Sequence, residues 1–307
     1  MKLINLKDKK QESEIPSPFV LCLGNFDGVH LGHRQLIKET VRVCEAIKKS
    51  DPNVACGAWL FDNNSYKSAP QIFSTEQKLE AFARLGLEFA FIADFDEMKG
   101  LSPDEFVRRI LKDSCHCIHA VCGENFRFGA KASADASSLV SLMGGNATVV
   151  PLFSQDGKVV SSTLIRAFLE NGEIEKANVL LGESFHVCQP VVHGKELGRT
   201  IGAPTINQIP THEPFVLSDG IYATKTVINE KSYPSVTNVG VRPTVENTCA
   251  KNIETHVIGF SGDCYGENIR VEFYSRLRDE IRFSSVEELK EQIAKDIKAI
   301  LEYFNLK

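Results

Sequence analysis

The chain has 307 residues, of which 43% are apolar and 24% charged, so it can bury a large hydrophobic core. This length predicts two domains, and the composition excludes a disordered, collagen-like or coiled-coil chain. The net charge of -5 argues against a protein that coats nucleic acid. It is compatible with an anionic small substrate, because a phosphate site needs only local donors.

The cysteines and the absence of long apolar stretches predict the compartment. Nine cysteines are scattered along the chain, several of them in apolar runs where a reduced thiol packs as a small hydrophobic side chain. The cluster from Cys115 to Cys122 has the residue types of a zinc site but no second ligand pair, which favours buried thiols. Neither a signal peptide nor a membrane-spanning helix is predicted. We expect a cytoplasmic protein with no membrane or nucleic-acid partner.

Residues 18–153 alternate short apolar runs with amphipathic helical patterns, which predicts βαβ units and a parallel sheet. The predicted strands are Phe19–Leu23, Val54–Phe61, Phe89–Ala93, Ile118–Cys122 and Thr148–Leu152. The predicted helices are Gly32–Lys49, Thr75–Leu85, Pro103–Leu111, Ala136–Met143, Ser162–Glu170 and Ile174–Leu181.

The residue pattern changes after about residue 185, where runs rich in Val, Thr, Ile and Tyr are separated by Gly, Pro and Asn turns. Such runs with no intervening helix predict an antiparallel, barrel-like domain. A last helix is predicted at Ser285–Phe304, which opens on a Ser285-x-x-Glu288 capping box. The predicted domains are therefore residues 1–184 and residues 185–307.

A glycine-rich turn with two histidines connects the first strand to the first helix and comprises Gly24, Asn25, Phe26, Asp27, Gly28, Val29, His30, Leu31, Gly32 and His33. In parallel sheets, ligands bind where the carboxyl end of a strand meets a helix N-terminus, whose free N–H groups suit phosphate. His30 and His33 are three residues apart, so both can face one spot and stabilise a phosphoryl group. No GxxxxGK[ST] loop occurs, which favours attack on an α-phosphate over γ-phosphoryl transfer. The alternative, a turn with two surface histidines, fits this spacing poorly.

Two further segments combine polar groups with a strand end or a helix start. Asn125 lies in GENFRFG after a strand, and SSTLIR opens a helix with Ser162, Thr163 and Arg166. Taken singly, each segment is explained somewhat better as an ordinary glycine turn or a capped helix than as part of a site.

The second half contains a glycine-spaced basic loop that includes Gly194, Lys195, Gly198, Arg199 and Gly202. The backbone N–H groups of such a loop can wrap phosphates. Thr205 and Asn207 follow two residues apart, so an extended backbone points both side chains the same way, and their oxygens suit Mg²⁺. Glu254 lies on a predicted strand and can accept a proton from a substrate hydroxyl. Alone, however, a glutamate on a strand is more often a solvated side chain.

In chain order, GNFDGVHLGH, GENFRFG and SSTLIR resemble the adenylyltransferase half of prokaryotic bifunctional riboflavin kinase/FAD synthetases. GRTIGAPTIN, NVGVRPT and ETH resemble the riboflavin kinase half of the same family. The resemblance implies a Rossmann-like HxGH nucleotidylyltransferase domain, followed by a six-stranded antiparallel β-barrel kinase domain with a C-terminal helix. It further implies ATP- and Mg²⁺-dependent phosphorylation of riboflavin to FMN, then adenylylation of FMN to FAD with release of pyrophosphate.

The resemblance also implies roles for the matching residues of the adenylyltransferase half. His30, His33, Asn125 and Arg166 would be catalytic, with the histidines on the phosphates of ATP. The other implied ATP contacts are Gly24, Asn25, Phe26, Asp27, Gly32, Ser162 and Thr163.

In the kinase half, Glu254 matches the base for the riboflavin 5′-hydroxyl, and Thr205 and Asn207 match the Mg²⁺ ligands. Arg278 is implied as a flavin contact. The implied ATP contacts are Gly194, Lys195, Gly198, Arg199 and Gly202.

The chain departs from the family pattern at two places in the first half. Asn63 and Asn64 stand where a His-Pro segment is usual, and Ala134 precedes Asp135 in place of glycine. One alternative is therefore an enzyme that retains only one activity, the kinase, because both departures lie in the adenylyltransferase half. Another alternative is a flavin-binding regulator without turnover, which the retained base and metal pair disfavour. The sequence carries no signal of oligomeric state.

Overall fold

The computed structural model describes residues 1–7, 18–61, 70–194, 198, 202–210, 215–243 and 249–306. The chain divides into two compact units, Met1–Ser162 and Thr163–Lys307. This division falls at the start of a helix, ahead of the predicted functional boundary near residue 184, which stays a prediction.

The first unit is built on a parallel sheet, as the alternating pattern predicts, and this sheet has six strands where five were predicted. The strands are β1 (Lys2–Asn5), β2 (Phe19–Leu23), β3 (Ala55–Phe61), β4 (Phe89–Ala93), β5 (Cys117–Gly123) and β8 (Ala147–Val150). Short pairs are formed by β6 (Arg127–Phe128) with β7 (Ala134–Asp135), and by β9 (Ser154–Gln155) with β10 (Lys158–Val159). The helices are α1 (Leu31–Lys48), α2 (Thr75–Arg84), α3 (Phe95–Met98), α4 (Pro103–Glu105) and α5 (Ala136–Leu142).

The strand order β1-β4-β3-β2-β5-β8 creates a switch point between β2 and β5. The chain proceeds from β2 outward through β3 to β4 and then returns to β5 on the other side of β2. All five residues of β2 are buried, which explains why this central strand is a continuous apolar run. The segments that follow β2 and β5 lie side by side at the carboxyl edge, because Leu23 pairs with Cys122.

An edge strand and the end of one helix are among the features of this unit that differ from the predictions. The edge strand β1 was not predicted, and it adds to the sheet by pairing in parallel with β4 from Lys2↔Phe89 to Asn5↔Ile92. The helix predicted to end at Leu111 continues as a π-helical segment, Phe106–Ser114.

The second unit contains the predicted antiparallel sheet of six strands. They are β11 (His186–Pro190), β12 (Thr205–Gln208), β13 (Gly220–Ile228), β14 (Lys231–Pro243), β15 (Cys249–Val257) and β16 (Asn268–Arg278), in the order β11-β16-β13-β14-β15-β12. An antiparallel bridge between Val192 and Asn207 joins the chain after β11 to the other edge strand, which closes the sheet towards a barrel.

The helices of the chain's second half are α6 (Ser162–Glu170), α7 (Ile174–Leu181) and α8 (Val286–Tyr303). The Ser285 side chain caps α8 by accepting the N–H of Glu288 at 3.2 Å. The return bond of the predicted capping box is shifted by one residue, because the Glu288 carboxylate accepts the N–H of Ser284 rather than that of Ser285.

Candidate functional site

The turn after β2 adopts a constrained backbone conformation that places its aromatic residue inside the protein. Phe26 and Val29 have positive φ angles of 52° and 40°, which are unusual for residues with a Cβ. The Phe26 ring is fully buried, with centroid distances of 5.2 Å to both His33 and Phe82. A Cβ on Gly24 would lie 3.2 Å from this ring, so the glycine allows the ring to pack against the chain. The turn is thus held in shape before any ligand binds.

His30 and His33 lie together at the first turn of α1, as their spacing predicts. Their rings stack with centroids 3.7 Å apart and an interplanar angle of 17°. His30 is the N-cap residue, and its Nδ1 accepts the His33 backbone N–H at 3.4 Å. In neutral His30 the ring proton is therefore on Nε2, which makes this nitrogen the available donor.

Both imidazoles are held in the neutral form. Burial lowers the pKa of His30 to about 4, against an opposing effect of the nearby Asp27 charge. Burial also lowers the pKa of His33 well below its ordinary value, and the charges of His30 and Lys78 add to this effect. Each ring can therefore donate one N–H to a phosphate near neutral pH, without carrying a charge into the site.

Asp27 and Ser162 hold the turn to the rest of the unit. Asp27 is 3% exposed, and its Oδ1 accepts the backbone N–H groups of Ile72 at 3.0 Å and Phe73 at 3.4 Å. The Ser162 hydroxyl donates to the Asp27 carbonyl oxygen at 2.9 Å. These contacts bring the distant residues 72, 73 and 162 to the histidine turn.

Lys78 is a residue of this site that sequence reasoning missed. It lies on α2 with only 1% of its surface exposed, and its Nζ donates to the Asn25 carbonyl oxygen at 3.4 Å. A buried ammonium group beside the turn after β2 supplies a fixed positive charge where an anionic ligand is expected. In the sequence, one lysine on an amphipathic helix gives no sign of burial.

The remaining predicted residues of the first site lie at several places. Asn125 is exposed in the turn after β5, at the same sheet edge as the turn after β2. Thr163 and Arg166 lie on α6 in the second compact unit, Thr163 exposed and Arg166 partly buried. Asn63 and Asn64 lie outside the described residues.

Asp135, which follows Ala134 in the second departure from the family pattern, caps α5. It accepts from the Ser138 N–H at 2.9 Å and from the Ser137 hydroxyl at 2.7 Å. These hydrogen bonds hold the pKa of the Asp135 carboxyl far below its ordinary value, and the bond from the Ser138 backbone N–H has the largest effect.

In the second unit, strand register brings the predicted metal and base residues together. Asn207 on β12 lies directly opposite Glu254 on β15, and Thr205 lies opposite His256. On the other side of β15, Asn238 of β14 is also opposite Glu254. Residues opposite each other in an antiparallel pair have neighbouring side chains, so Glu254 lies between two asparagines. Its own side chain is exposed and accessible to a substrate.

Asn252 connects the base to the metal-ligand candidate, and sequence reasoning missed it. Its Nδ2 donates to the Glu254 carboxylate at 2.7 Å and lies 3.4 Å from the Asn207 Oδ1. Asn252 is 6% exposed, and its buried Oδ1 has no hydrogen-bond partner among the described residues. The sequence does contain a signal, because residues 252 and 254 point to the same side of a strand.

The glycine loop of this unit approaches the site closely at its beginning. A Cβ on Gly194 would lie 2.4 Å from the Asn207 Nδ2, so only glycine fits beside this side chain. Gly198 accepts the Ala203 N–H at 2.8 Å, and Gly202 has a positive φ of 82°. Lys195 and Arg199 lie outside the described residues.

The oxygens at this site fit the implied Mg²⁺. Thr205 and Asn207 supply a hydroxyl and an amide oxygen from the same strand, and both are hard ligands. The buried Oδ1 of Asn252, which has no protein partner in the described part, adds a third oxygen to this neighbourhood. Such a set leaves room for water and nucleotide oxygens around the ion.

Arg278 makes a bidentate ion pair with Asp296 of α8. Its Nε donates to Oδ1 at 3.0 Å and its Nη2 to Oδ2 at 2.7 Å. Asp296 is 5% exposed, so this pair fixes α8 to the end of β16. The predicted contact between Arg278 and the flavin stays a prediction.

Comparison with known proteins covers both halves of the chain. Two family models match the chain, one described as FAD synthetase over residues 12–164 and one described as riboflavin kinase over residues 181–304. A bifunctional riboflavin kinase/FMN adenylyltransferase from Escherichia coli K12 is 34% identical, over 100% of this chain and 99% of that protein. The chain belongs to this bifunctional family. The family member of the same name from Bacillus subtilis strain 168 is 32% identical, over 93% of this chain and 92% of its own length.

A solved structure matches the fold of nearly the whole chain. A crystal structure titled macrolide-efflux protein from Streptococcus pneumoniae has a TM-score of 0.83 and 26% identity to this chain. It covers 98% of this chain and 99% of its own. None of the helices in the described ranges combines the length and apolar character needed to cross a bilayer.

Proposed function

We propose that this chain phosphorylates riboflavin to FMN and then adenylylates FMN to FAD, using ATP in both steps. The observation that carries this proposal is that one chain contains both chemical arrangements. A neutral histidine pair lies at the switch point of the parallel sheet, and an Asn–Glu pair lies in register on the antiparallel sheet.

In the kinase step, the Glu254 carboxylate accepts the proton of the riboflavin 5′-hydroxyl, whose oxygen attacks the γ-phosphorus of ATP. The bond to the β,γ-bridging oxygen breaks, and ADP leaves. Thr205 and Asn207 would hold Mg²⁺, which neutralises phosphate charge when bound. Asn252 is a positioning residue, because its amide fixes Glu254 at 2.7 Å and lies within 3.4 Å of Asn207.

The loop before β12 binds the nucleotide of this step in the proposed mechanism. Its members are Gly194, Lys195, Gly198, Arg199 and Gly202. Arg278, the last residue of β16, is proposed to contact the flavin.

In the adenylyl step, an oxygen of the FMN phosphate attacks the α-phosphorus of ATP, and pyrophosphate leaves. The nucleophile is already anionic, so the step needs alignment and charge stabilisation more than a general base. His30 and His33 donate N–H groups to the phosphates, and Lys78 adds a buried positive charge. The further proposed contacts are Gly24, Asn25, Phe26, Asp27, Gly32, Asn125, Ser162, Thr163 and Arg166.

We assign the adenylyltransferase to residues 1–184 and the kinase to residues 185–307. The cysteines whose side chains the structure describes form no disulfide, which supports work in a reducing cytoplasm. No observation favours the regulator, because Glu254 and its amide partner form an arrangement that flavin binding alone does not require.

The two half-reactions test this proposal separately. Riboflavin with ATP and Mg²⁺ should yield FMN and ADP, and FMN with ATP and Mg²⁺ should yield FAD and pyrophosphate. Chromatography of the flavins and an enzymatic assay of pyrophosphate measure both. Loss of either product from the purified wild-type chain would overturn the bifunctional proposal.

A further inference from the structure

A second cluster of reactive side chains lies at the opposite edge of the parallel sheet from the histidine turn. Cys56 is the second residue of β3, and Glu88 immediately precedes β4, so both lie at the amino end of their strands. Cys44 lies in the second half of α1, which runs back across the sheet towards this edge. Neither half-reaction uses these three residues.

The three side chains converge closely enough to share one ion. Their ligand atoms, two sulfurs and one carboxylate oxygen, all lie within 4.8 Å of one another. The Cys56 Sγ is 3.7 Å from the Glu88 Oε1 and 3.4 Å from the Gly86 carbonyl oxygen. Both cysteines are buried, whereas the Glu88 side chain is 45% exposed, so the cluster has one side open to solvent.

The charges around the cluster suit a bound dication. The Lys48 Nζ lies 3.1 Å from the Glu88 Oε1 and 3.4 Å from the Glu45 carboxylate. Two thiolates and one carboxylate around a dication leave one negative charge, which the Lys48 ammonium can balance.

We propose that Cys44, Cys56 and Glu88 form a binding site for a soft divalent cation, Zn²⁺, with solvent at the fourth position. Thiolates select this type of ion, and tetrahedral sites with three protein ligands and one water are common for it. Binding releases the thiol protons to solvent. The ion would tie α1, β3 and the segment before β4 together, so it would stabilise the first unit without entering either reaction.

Titration of the reduced full-length chain with Co²⁺ tests this site, because cobalt–thiolate bonds absorb in the near ultraviolet. We expect one thiolate-bound Co²⁺ per chain, displaced by Zn²⁺. Cys44→Ser and Cys56→Ser should lose this absorption. Cys188→Ser is the matched control, because Cys188 is an exposed cysteine outside the cluster that forms no disulfide, and it should keep the absorption.

Glu88→Gln keeps the test decisive even if the buried cysteine variants fail to fold, because its side chain is largely at the surface. Loss of this ligand should weaken Co²⁺ binding about 10-fold or more, the range seen when even indirect partners of a metal are removed. Three results would each overturn the proposal. They are no thiolate absorption in the wild type, loss of absorption in Cys188→Ser, and unchanged affinity in Glu88→Gln.

Discussion

Asn252 donates its side-chain amide to the Glu254 carboxylate at 2.7 Å, from two residues earlier on the same strand. Because it holds the base without touching the reacting atoms, Asn252→Ala should lower kcat for FMN formation about 10–100-fold. The KM for riboflavin should change little. Steady-state kinetics of the kinase step measures both, and Asn146→Ala in the first unit is the control. A rise in KM at unchanged kcat would assign Asn252 to substrate binding instead.

Asn252→Asp separates a positioning role from a merely structural one. A second carboxylate beside Glu254 disfavours the ionised base, so the acid limb of kcat against pH should move to higher pH. Far-ultraviolet circular dichroism checks that the variant is folded. A profile that falls uniformly at every pH would contradict the placement of Asn252 beside an ionised base.

Glu254→Gln removes the proposed base while it keeps the size of the side chain. FMN formation should fall about 10²–10⁴-fold, the usual contribution of general base catalysis. FAD formation from supplied FMN should continue at the wild-type rate, because the histidine site is separate. Chromatographic assays of the two half-reactions decide the matter, and equal loss of both activities would show that the base is wrongly assigned.

Gly194→Ala tests the close approach of the glycine loop to the metal-ligand candidate. The added Cβ would lie 2.4 Å from the Asn207 Nδ2, so Asn207 must move. We expect a higher Mg²⁺ concentration for half-maximal kinase activity and unchanged adenylyl transfer. Gly100→Ala is the matched control, because a Cβ there meets nothing within 4 Å. An unchanged Mg²⁺ dependence in Gly194→Ala would argue against Asn207 as a ligand.

His30→Ala removes a neutral N–H donor from the histidine turn. FAD formation from FMN should fall about 10²–10³-fold, as when one oxyanion-type donor is lost. FMN formation should be spared. His119→Gln is the control. The His119 Nε2 lies 2.9 Å from the Thr148 Oγ1, between β5 and β8, and His119 belongs to neither site. Normal FAD synthesis by His30→Ala would remove His30 from the mechanism.

Burial of His30 also makes stability depend on pH. Its pKa is lowered from 6.5 to about 4, so between these values the unfolded chain binds the proton more readily. Stability should therefore fall as pH falls through this window, by about 2–3 kcal/mol at pH 4.5 from this group alone. Urea unfolding followed by fluorescence of Trp59, the single tryptophan, measures the effect in the first unit. His30→Asn should lose less stability between pH 7.5 and 4.5, and an equal loss would contradict the burial.

Local patterns predict most elements of this fold, because each is encoded by neighbouring residues. The five buried residues of β2 form one apolar run, and Ser285 is an N-cap residue that marks the start of α8. The strand β1 has no such signal, since only Ile4 is buried and its pairing with β4 is long-range. The continuation of helix α4 as a π-helical segment to Ser114 was not predicted, because the 3.6-residue apolar pattern in the sequence ends at Leu111.

In the candidate sites, too, local pairs of residues can be predicted from the sequence, whereas contacts between distant segments cannot. His30 and His33, or Thr205 and Asn207, can be paired from their spacing, because three residues in a helix turn and two in a strand share a face. The opposition of Asn207 and Glu254 depends on strand register over 47 positions, which spacing cannot supply. Lys78 is buried by tertiary packing against the turn after β2, and lysines are seldom buried.

Conversion of riboflavin by the purified chain tests the central claim most directly. The chain is incubated with riboflavin, excess ATP and Mg²⁺ and no added FMN, and the three flavins are resolved by chromatography over time. We predict that FMN appears first and FAD follows until it is the main flavin. FMN that accumulates without any FAD would contradict the account.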